Sequence, residues 1–319
     1  MRILITAFLI CIYSNINAQF KVVVYLPNTT PLDQQVNAFD FSKVTHINIA
    51  FFNPDTAGNF SPAKGKGLDL IVAKAHKNKV KVLLALAGGS DQAQYHRLLK
   101  PDNINPFIDK VIALVDQYKV DGIDVDLEGT NIDENYEAFV LGLSAKLKPK
   151  GKLLSGAVGW WTRGKISDAS LAAYDFVNIM AYGASAKLHA SFDYAKERLS
   201  YWKVERKLPK EKLVLGTAFY ARYDTANTFV TIKYKDLLVK YPGAELKDSL
   251  VRAEDGLVIN YSGIRKTMER TAYALAECSG IMVWQILQDA SGKASLLKAI
   301  DDEIRENKSK INNSSTPKL

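Results

Sequence analysis

The sequence predicts an α/β barrel, eight parallel strands each followed by a helix, and three observations point to it. Strand-like apolar runs alternate with helix-like segments along most of the chain, the pattern of a parallel sheet with crossover helices. The runs are eight, at residues 21–26, 44–52, 80–87, 122–128, 153–158, 176–181, 212–219 and 280–286. In the fourth, Ile123, Val125 and Leu127 alternate with Asp124, Asp126 and Glu128. A period of two puts aliphatics on one face and acids on the other, which suits a barrel wrapped in helices with its acids toward the mouth. A chain of 319 residues with 47% hydrophobic content is enough for one such barrel.

Residues 1–18 carry Arg2, an apolar run over 3–12 and a polar end at Ala18, the form of a cleaved signal peptide too short for a comfortable membrane span. Export to the periplasm or medium, without a stable membrane anchor, is therefore expected. Cys11 falls inside this segment and follows Ile10 rather than a small residue, which argues against a lipid anchor. Only Cys278 then remains, so no intrachain disulfide is expected. The formal net charge is +8, with Arg2 contributing one unit, and the lysines are scattered. No nucleic-acid partner is expected from such a distribution, and the charge reads mainly as solubility. His46, His76, His96 and His189 lack ligand spacing, so neither metal nor cofactor is expected.

The acids of the fourth run would stand roughly 6–7 Å apart along one side of a strand. Like charges packed that closely push at least one pKa up, so a proton is expected among Asp124, Asp126 and Glu128 near neutral pH. An acid able to donate would then lie beside a carboxylate that stays charged. A solvated edge strand would not need Ile, Val and Leu on its back, and a metal cage is the other alternative. Asp121 has the opposite parity and is read as supporting the strand start.

Tyr136, Phe139, Val140, Leu143 and Leu147 repeat at helical spacing, and Asn105-Pro106 marks the opening of the preceding helix as N-cap and first-turn proline. Trp202 lies in a helical pattern with Leu199 and reads as outer-layer core. Between Tyr223 and Ser262 about 40 residues exceed an ordinary connection. Strand-like runs there suggest a small hairpin addition between strand 7 and helix 7. The expected organisation is a signal peptide over 1–18, a barrel over 19–306 and a polar, disordered tail over 307–319.

The stretch from Asp121 through Asp124 and Asp126 to Glu128 resembles the DxxDxDxE signature on the fourth barrel strand of the family 18 glycoside hydrolases, the chitinases and endo-β-N-acetylglucosaminidases. Other strand ends are similar to that family. Tyr25 on the first strand and Asn48, Ala50 and Phe51 on the second match side chains that help floor the family's sugar site, and packing alone would also explain them. The third strand ends Ala85-Leu86-Ala87-Gly88-Gly89, like the family's SxGG with Ala85 in place of serine; the glycines serve either a tight turn or a close backbone approach. Met180-Ala181-Tyr182-Gly183 resembles the MxYD element, with Gly183 where the family has aspartate.

The resemblance implies a retaining hydrolase of β-1,4-linked N-acetylglucosamine in chitin or its oligosaccharides, acting through the substrate's own acetamido group. It implies Glu128 as general acid, Asp126 as stabiliser of the intermediate, Asp124 as its proton-sharing partner and Tyr182 as donor to the acetamido carbonyl. Trp284 matches the tryptophan that floors the reacting sugar. Tyr220 and Arg222, placed at the end of strand seven, match residues that reach the cleft, although Arg222 could equally serve an ion pair. Trp160 or Trp161, after the fifth strand, could stack on sugar or simply pack. The expected partner is an N-acetylglucosamine-containing saccharide bound by a monomer in a shallow, open groove. An endo-β-N-acetylglucosaminidase acting on N-glycans and a non-catalytic chitin-binding lectin are the alternatives.

Overall fold

A computed structural model describes residues 19–89 and 91–314, with side chains through Lys310; residues 1–18, read above as a signal peptide, lie outside it. The barrel strands are β1 (Lys21–Pro27), β2 (His46–Ala50), β3 (Lys81–Ala87), β4 (Gly122–Asp126), β5 (Leu153–Val158), β6 (Phe176–Ile179) and β7 (Leu213–Ala218). An inserted sheet follows, made of β8 (Tyr220–Asp224), β9 (Phe229–Lys233), β10 (Ser249–Val251) and β11 (Val258–Asn260), before the last barrel strand, β12 (Gly280–Trp284). All barrel pairs are parallel and the sheet closes, in the order β1-β12-β7-β6-β5-β4-β3-β2. The helices are α1 (Leu68–Lys77), α2 (Gln94–Leu98), α3 (Pro101–Tyr118), α4 (Tyr136–Leu147), α5 (Asp168–Ala173), α6 (Ala186–His189), α7 (Phe192–Ser200), α8 (Tyr234–Lys240), α9 (Ile264–Glu277) and α10 (Leu296–Ser314). No helix among the described residues is long and apolar enough to cross a membrane.

Alternation along each strand sorts the core into two parts. Val22, Val24 and Leu26 of β1 and Ile123, Val125 and Leu127 around β4 join the layer between strands and helices, each burial contributing roughly 1.5–3 kcal/mol. The other parity fills the barrel interior with Val23, Tyr25, Ala85, Ala157, Phe176 and Met282, together with the fully buried polar residues Asn48, Asp124, Ser155 and Asn178. Asp121 supports the base of β4, as its parity suggested. Its carboxylate accepts from the Val82 amide at 2.9 Å, pairs with His76 at 2.8 Å and accepts from Lys81 at 3.1 Å. Tyr136, Phe139, Val140, Leu143 and Leu147 are all buried on α4, and Trp202 is buried in the outer layer.

Four expectations need correction. The segment expected to be disordered from Asn307 continues α10 to Ser314: once Leu296, Leu297 and Ile300 are buried, each further residue adds one hydrogen bond at low cost. Helix α3 opens at Pro101, which takes the first-turn position, and Pro106 lies inside it at the loss of one backbone bond. The insertion is larger than a hairpin, an antiparallel sheet in the order β10-β11-β8-β9 accompanied by α8. It also begins earlier than Tyr223, so that Tyr220 and Arg222 belong to its first strand.

Gly122 begins β4 where β5 passes closest. A Cβ there would stand 2.1 Å from the Leu153 carbonyl oxygen, a backbone atom with nowhere to move. Gly122→Ala is expected to cost roughly 1–3 kcal/mol, toward the upper end, in urea unfolding; an unchanged midpoint would show that the two strands can separate.

Candidate active site

The acid strand delivers its side chains into three different environments. Asp124 is completely buried within the barrel. Its Oδ2 accepts from the Tyr25 hydroxyl at 2.7 Å, and its Oδ1 accepts from Ser155 at 2.5 Å and Asn178 at 3.1 Å. Asp124 lies opposite Ala85 on β3 and Ser155 on β5, so a hydroxyl reaches it from β5 where the resemblance expects one on β3. Asp126, one step toward the mouth, is 4% exposed and its Oδ1 finds no partner among the described residues. Glu128 lies two residues past the last ladder pair of β4 but keeps extended backbone, φ −125° and ψ 157°. The alternation therefore carries its carboxylate into the same cleft.

Glu128 Oε2 accepts from the indole N–H of Trp161, which sits in the tight turn Trp160–Thr162 after β5. Its Oε1 faces Gly89, where a Cβ would approach to 3.0 Å. Close approach, rather than a turn alone, thus accounts for glycine at that strand end.

Around the acids lies a cleft of about 330 Å³ lined by Tyr25, Phe51, Met180, Tyr182, Tyr220, Arg222 and Trp284, all expected from the sequence, and by Trp161. Trp284 lines the cleft, with Tyr25 edge-on at 5.4 Å and Phe51 stacked at 5.7 Å between ring centroids. Tyr182 is buried beside Met282, and its hydroxyl lies 4.0 Å from the thioether sulfur. Arg222 donates to the Gly183 carbonyl and pairs with Asp224 at 2.8 Å, so it serves both cleft and ion pair. Gly183 has φ +90° and lines the cleft without a side chain.

Trp160 does not join them. It is absent from the cleft lining and 45% exposed, and the Arg163 and Arg198 guanidinium carbons lie 3.8 and 3.5 Å from its ring centroid, so two cations already stack on the ring. The sequence did not single out Phe229 on β9 or Met282 on β12 as cleft residues, nor Ser155 and Asn178 as partners of Asp124. Only strand register could have revealed the last two.

Burial sets the proton affinities. Asp124 is pushed up by burial, against the opposing pull of Ser155, Tyr25 and Asn178. Asp126 rises well above the usual carboxylate range through burial first, then through the charges of Glu128 and Asp124. Glu128 is raised by burial and eased down by the Trp161 indole. Burial therefore raises the proton affinity of all three acids, and on Asp126 the neighbouring charges add to it.

Buried acids with aromatic walls at the C-terminal mouth of an eight-stranded barrel make the kind of site that barrel glycosidases use. The family model "Glycosyl hydrolases family 18" matches residues 21–289, and the chain belongs to that family. A chitinase from the chitin utilization locus of Flavobacterium johnsoniae superposes with a TM-score of 0.83 at 30% identity, covering 91% of this chain and 96% of that one. A chitinase from Bacteroides thetaiotaomicron shares the fold with a TM-score of 0.78 at 24% identity, covering 91% and 98%. Among curated sequences, probable chitinase 10 of Drosophila melanogaster is 26% identical over 67% of this chain, and a chitinase-like effector of Moniliophthora perniciosa is 28% identical over 37%. The matches span only 10% and 28% of those two relatives.

A carboxyl whose pKa is raised by folding binds its proton more tightly folded than unfolded. Its contribution to stability is present below the unfolded value, about 3.9, and is lost as pH rises through the folded one. Asp126→Asn removes that burden, so the variant should melt above wild type at pH 7, with the difference closing toward pH 3. Equal melting temperatures at pH 7 would contradict the raised proton affinity of Asp126.

Proposed function

We propose that this chain hydrolyses β-1,4-linked N-acetylglucosamine, as chitin or chitooligosaccharides, with retention of anomeric configuration. The observation that carries the proposal is the pairing of Glu128, an acid of raised pKa facing the cleft, with Asp126, whose buried Oδ1 has no partner among the described residues one step deeper. With Oε2 accepting from Trp161, the proton of Glu128 belongs on Oε1, the oxygen beside Gly89. Glu128 gives that proton to the leaving oxygen as the glycosidic bond breaks. The acetamido carbonyl of the same sugar attacks the anomeric carbon, and Asp126 accepts the amide N–H of the oxazolinium ion that forms. Asp124, held by its three donors beneath Asp126, shares a proton with Asp126 and helps cycle its charge. Glu128, now a carboxylate, takes a proton from water as water opens the ring. Tyr182 donates to the acetamido carbonyl, Trp284 floors the sugar, and Tyr25, Phe51, Met180 and Trp161 complete the subsite. Read as an export signal, residues 1–18 would take the enzyme to polysaccharide outside the cytoplasm.

The relatives reported above are mainly chitinases, in keeping with this substrate. A lectin remains the second reading because Gly183 supplies no side chain where the resemblance expects an acid. Wild type should release the chromophore from a chromogenic chitooligosaccharide. Glu128→Gln should lose roughly 10²–10⁴-fold or more in kcat with its melting temperature kept. Binding without turnover by wild type would favour the lectin. Release of glycans from a high-mannose glycoprotein, with chitin oligomers left intact, would move the substrate to N-glycans.

Phe229 stands at the cleft edge, 54% exposed, with the Arg222 guanidinium 4.2 Å from its ring. Phe229→Ala is expected to raise KM for longer oligosaccharides roughly 2- to 10-fold with little change in kcat, the weight of one aromatic contact. An unchanged KM would remove Phe229 from the binding surface.

A further inference from the structure

The ring of Trp160 belongs to a longer stack. Arg163 lies between the rings of Trp160 and Tyr201, 3.8 Å from each centroid. Arg198 lies between Trp160 and Tyr194, at 3.5 and 4.5 Å. The sequence of groups is Tyr201, Arg163, Trp160, Arg198, Tyr194, with alternating rings and cations. Tyr194 and Arg198 are on α7, and Tyr201 is in the turn that follows it. Trp160 and Arg163 belong to the loop after β5. The stack therefore fastens that loop to α7, and the residue next to Trp160 is Trp161, the hydrogen-bond donor to Glu128.

Arg198 is 8% exposed, and its Nε and Nη1 find no hydrogen-bond partner among the described residues. Its one ion pair is to Glu197 at 2.6 Å. Two nitrogens of a largely buried guanidinium thus rely on the ring faces beside them, so the stack is the main support of this side chain. Trp160 and Trp161 are adjacent in the three-residue turn Trp160–Thr162, so the backbone that the stack holds is the backbone that carries the Trp161 indole.

We propose that Trp160 and Arg198 are positioning residues. By clamping the loop to α7 they hold the Trp161 N–H against Glu128 and thereby set the pH at which Glu128 gives up its proton. The role rests on the glycosidase reading only where turnover is measured; the geometry it describes does not. Other groups that line this cleft are Asp126 on β4, Tyr25 on β1, Tyr182 from the loop after β6, and Tyr220 and Arg222 on β8. The substitutions below alter none of them.

The test is a pH titration of the Trp161 indole ¹H–¹⁵N resonance in tryptophan-labelled protein, assigned by its loss in Trp161→Phe. In wild type the resonance should follow the ionisation of Glu128, and that response should disappear in Glu128→Gln. In Trp160→Ala the response should be lost. The alkaline limb of kcat/KM should then move to higher pH by the same amount as in Trp161→Phe, because each change removes the donor that favours the carboxylate. The double variant should show no further shift. Arg198→Gln, which uncovers one ring face, should move the limb the same way by less, and Trp160→Phe should restore it. A Trp160→Ala protein that melts as wild type and keeps both the indole response and the limb would overturn the proposal, as would additive shifts in the double variant. If Trp160→Ala does not fold, Arg198→Gln decides on the same two readouts. An inactive wild type would count against the glycosidase reading alone, since the resonance would still decide the clamp.

Discussion

A carboxyl group inside a closed sheet has to be met by donors from that sheet, and Asp124 imposes this condition on the barrel. Burying a carboxylate is costly unless hydrogen bonds offset the lost water. The offset here comes from three strands at once, Tyr25 of β1, Ser155 of β5 and Asn178 of β6. Those partners reach it only in one register, because slipping any strand by a residue would turn the donor to the outer layer. The same register fixes Asp126 and Glu128 above it. Solvation then changes stepwise along one strand, from a fully satisfied acid, through a buried oxygen without a partner, to an acid open to the cleft. The site is a by-product of where the strand emerges from the sheet.

Much of this was legible before any coordinates. The alternation of Ile123, Val125 and Leu127 with the acids identified both faces of β4, and the expected runs each fall on a barrel strand, with ends differing by no more than two residues. Tyr25, Phe51, Met180, Tyr182, Tyr220, Arg222 and Trp284 do gather in one cleft. What was missed depended on distant partners. Trp160 and Trp161 are adjacent in the chain, and their fates diverge because Arg198, on a helix after the next strand, covers one face of Trp160. Ser155 became a partner of Asp124 through strand register, which local pattern does not reveal. The inserted sheet was underestimated because β10 and β11 have three residues each, too few for alternation to register. At the tail, composition pointed to disorder while the buried first turns of α10 carried the helix onward.

The insertion gives the cleft a wall that the barrel does not provide. Tyr220, Arg222 and Phe229 come from its strands, and Arg222 ties it to the barrel through the Gly183 carbonyl. Asp224 also accepts from the Ala186 amide at 2.7 Å, so α6 is bound into the same rim. The inserted sheet thus supplies part of the cleft lining, while Gly183 contributes no side chain to it. An acid floor from the barrel and a separately folded rim can vary independently, which is how one scaffold serves saccharides of different shape.

Closure of the sheet has a bearing on how the molecule is made. Strand β1 finds one of its two neighbours only in β12, with Lys21 opposite Gly280. Until the ribosome has delivered β12, the nascent sheet keeps an open edge, with amides and carbonyls free to pair with another chain. Such distant pairing is slow to form, so production of this protein is exposed to self-association during synthesis, and holding the chain unfolded until it is complete would suppress that loss.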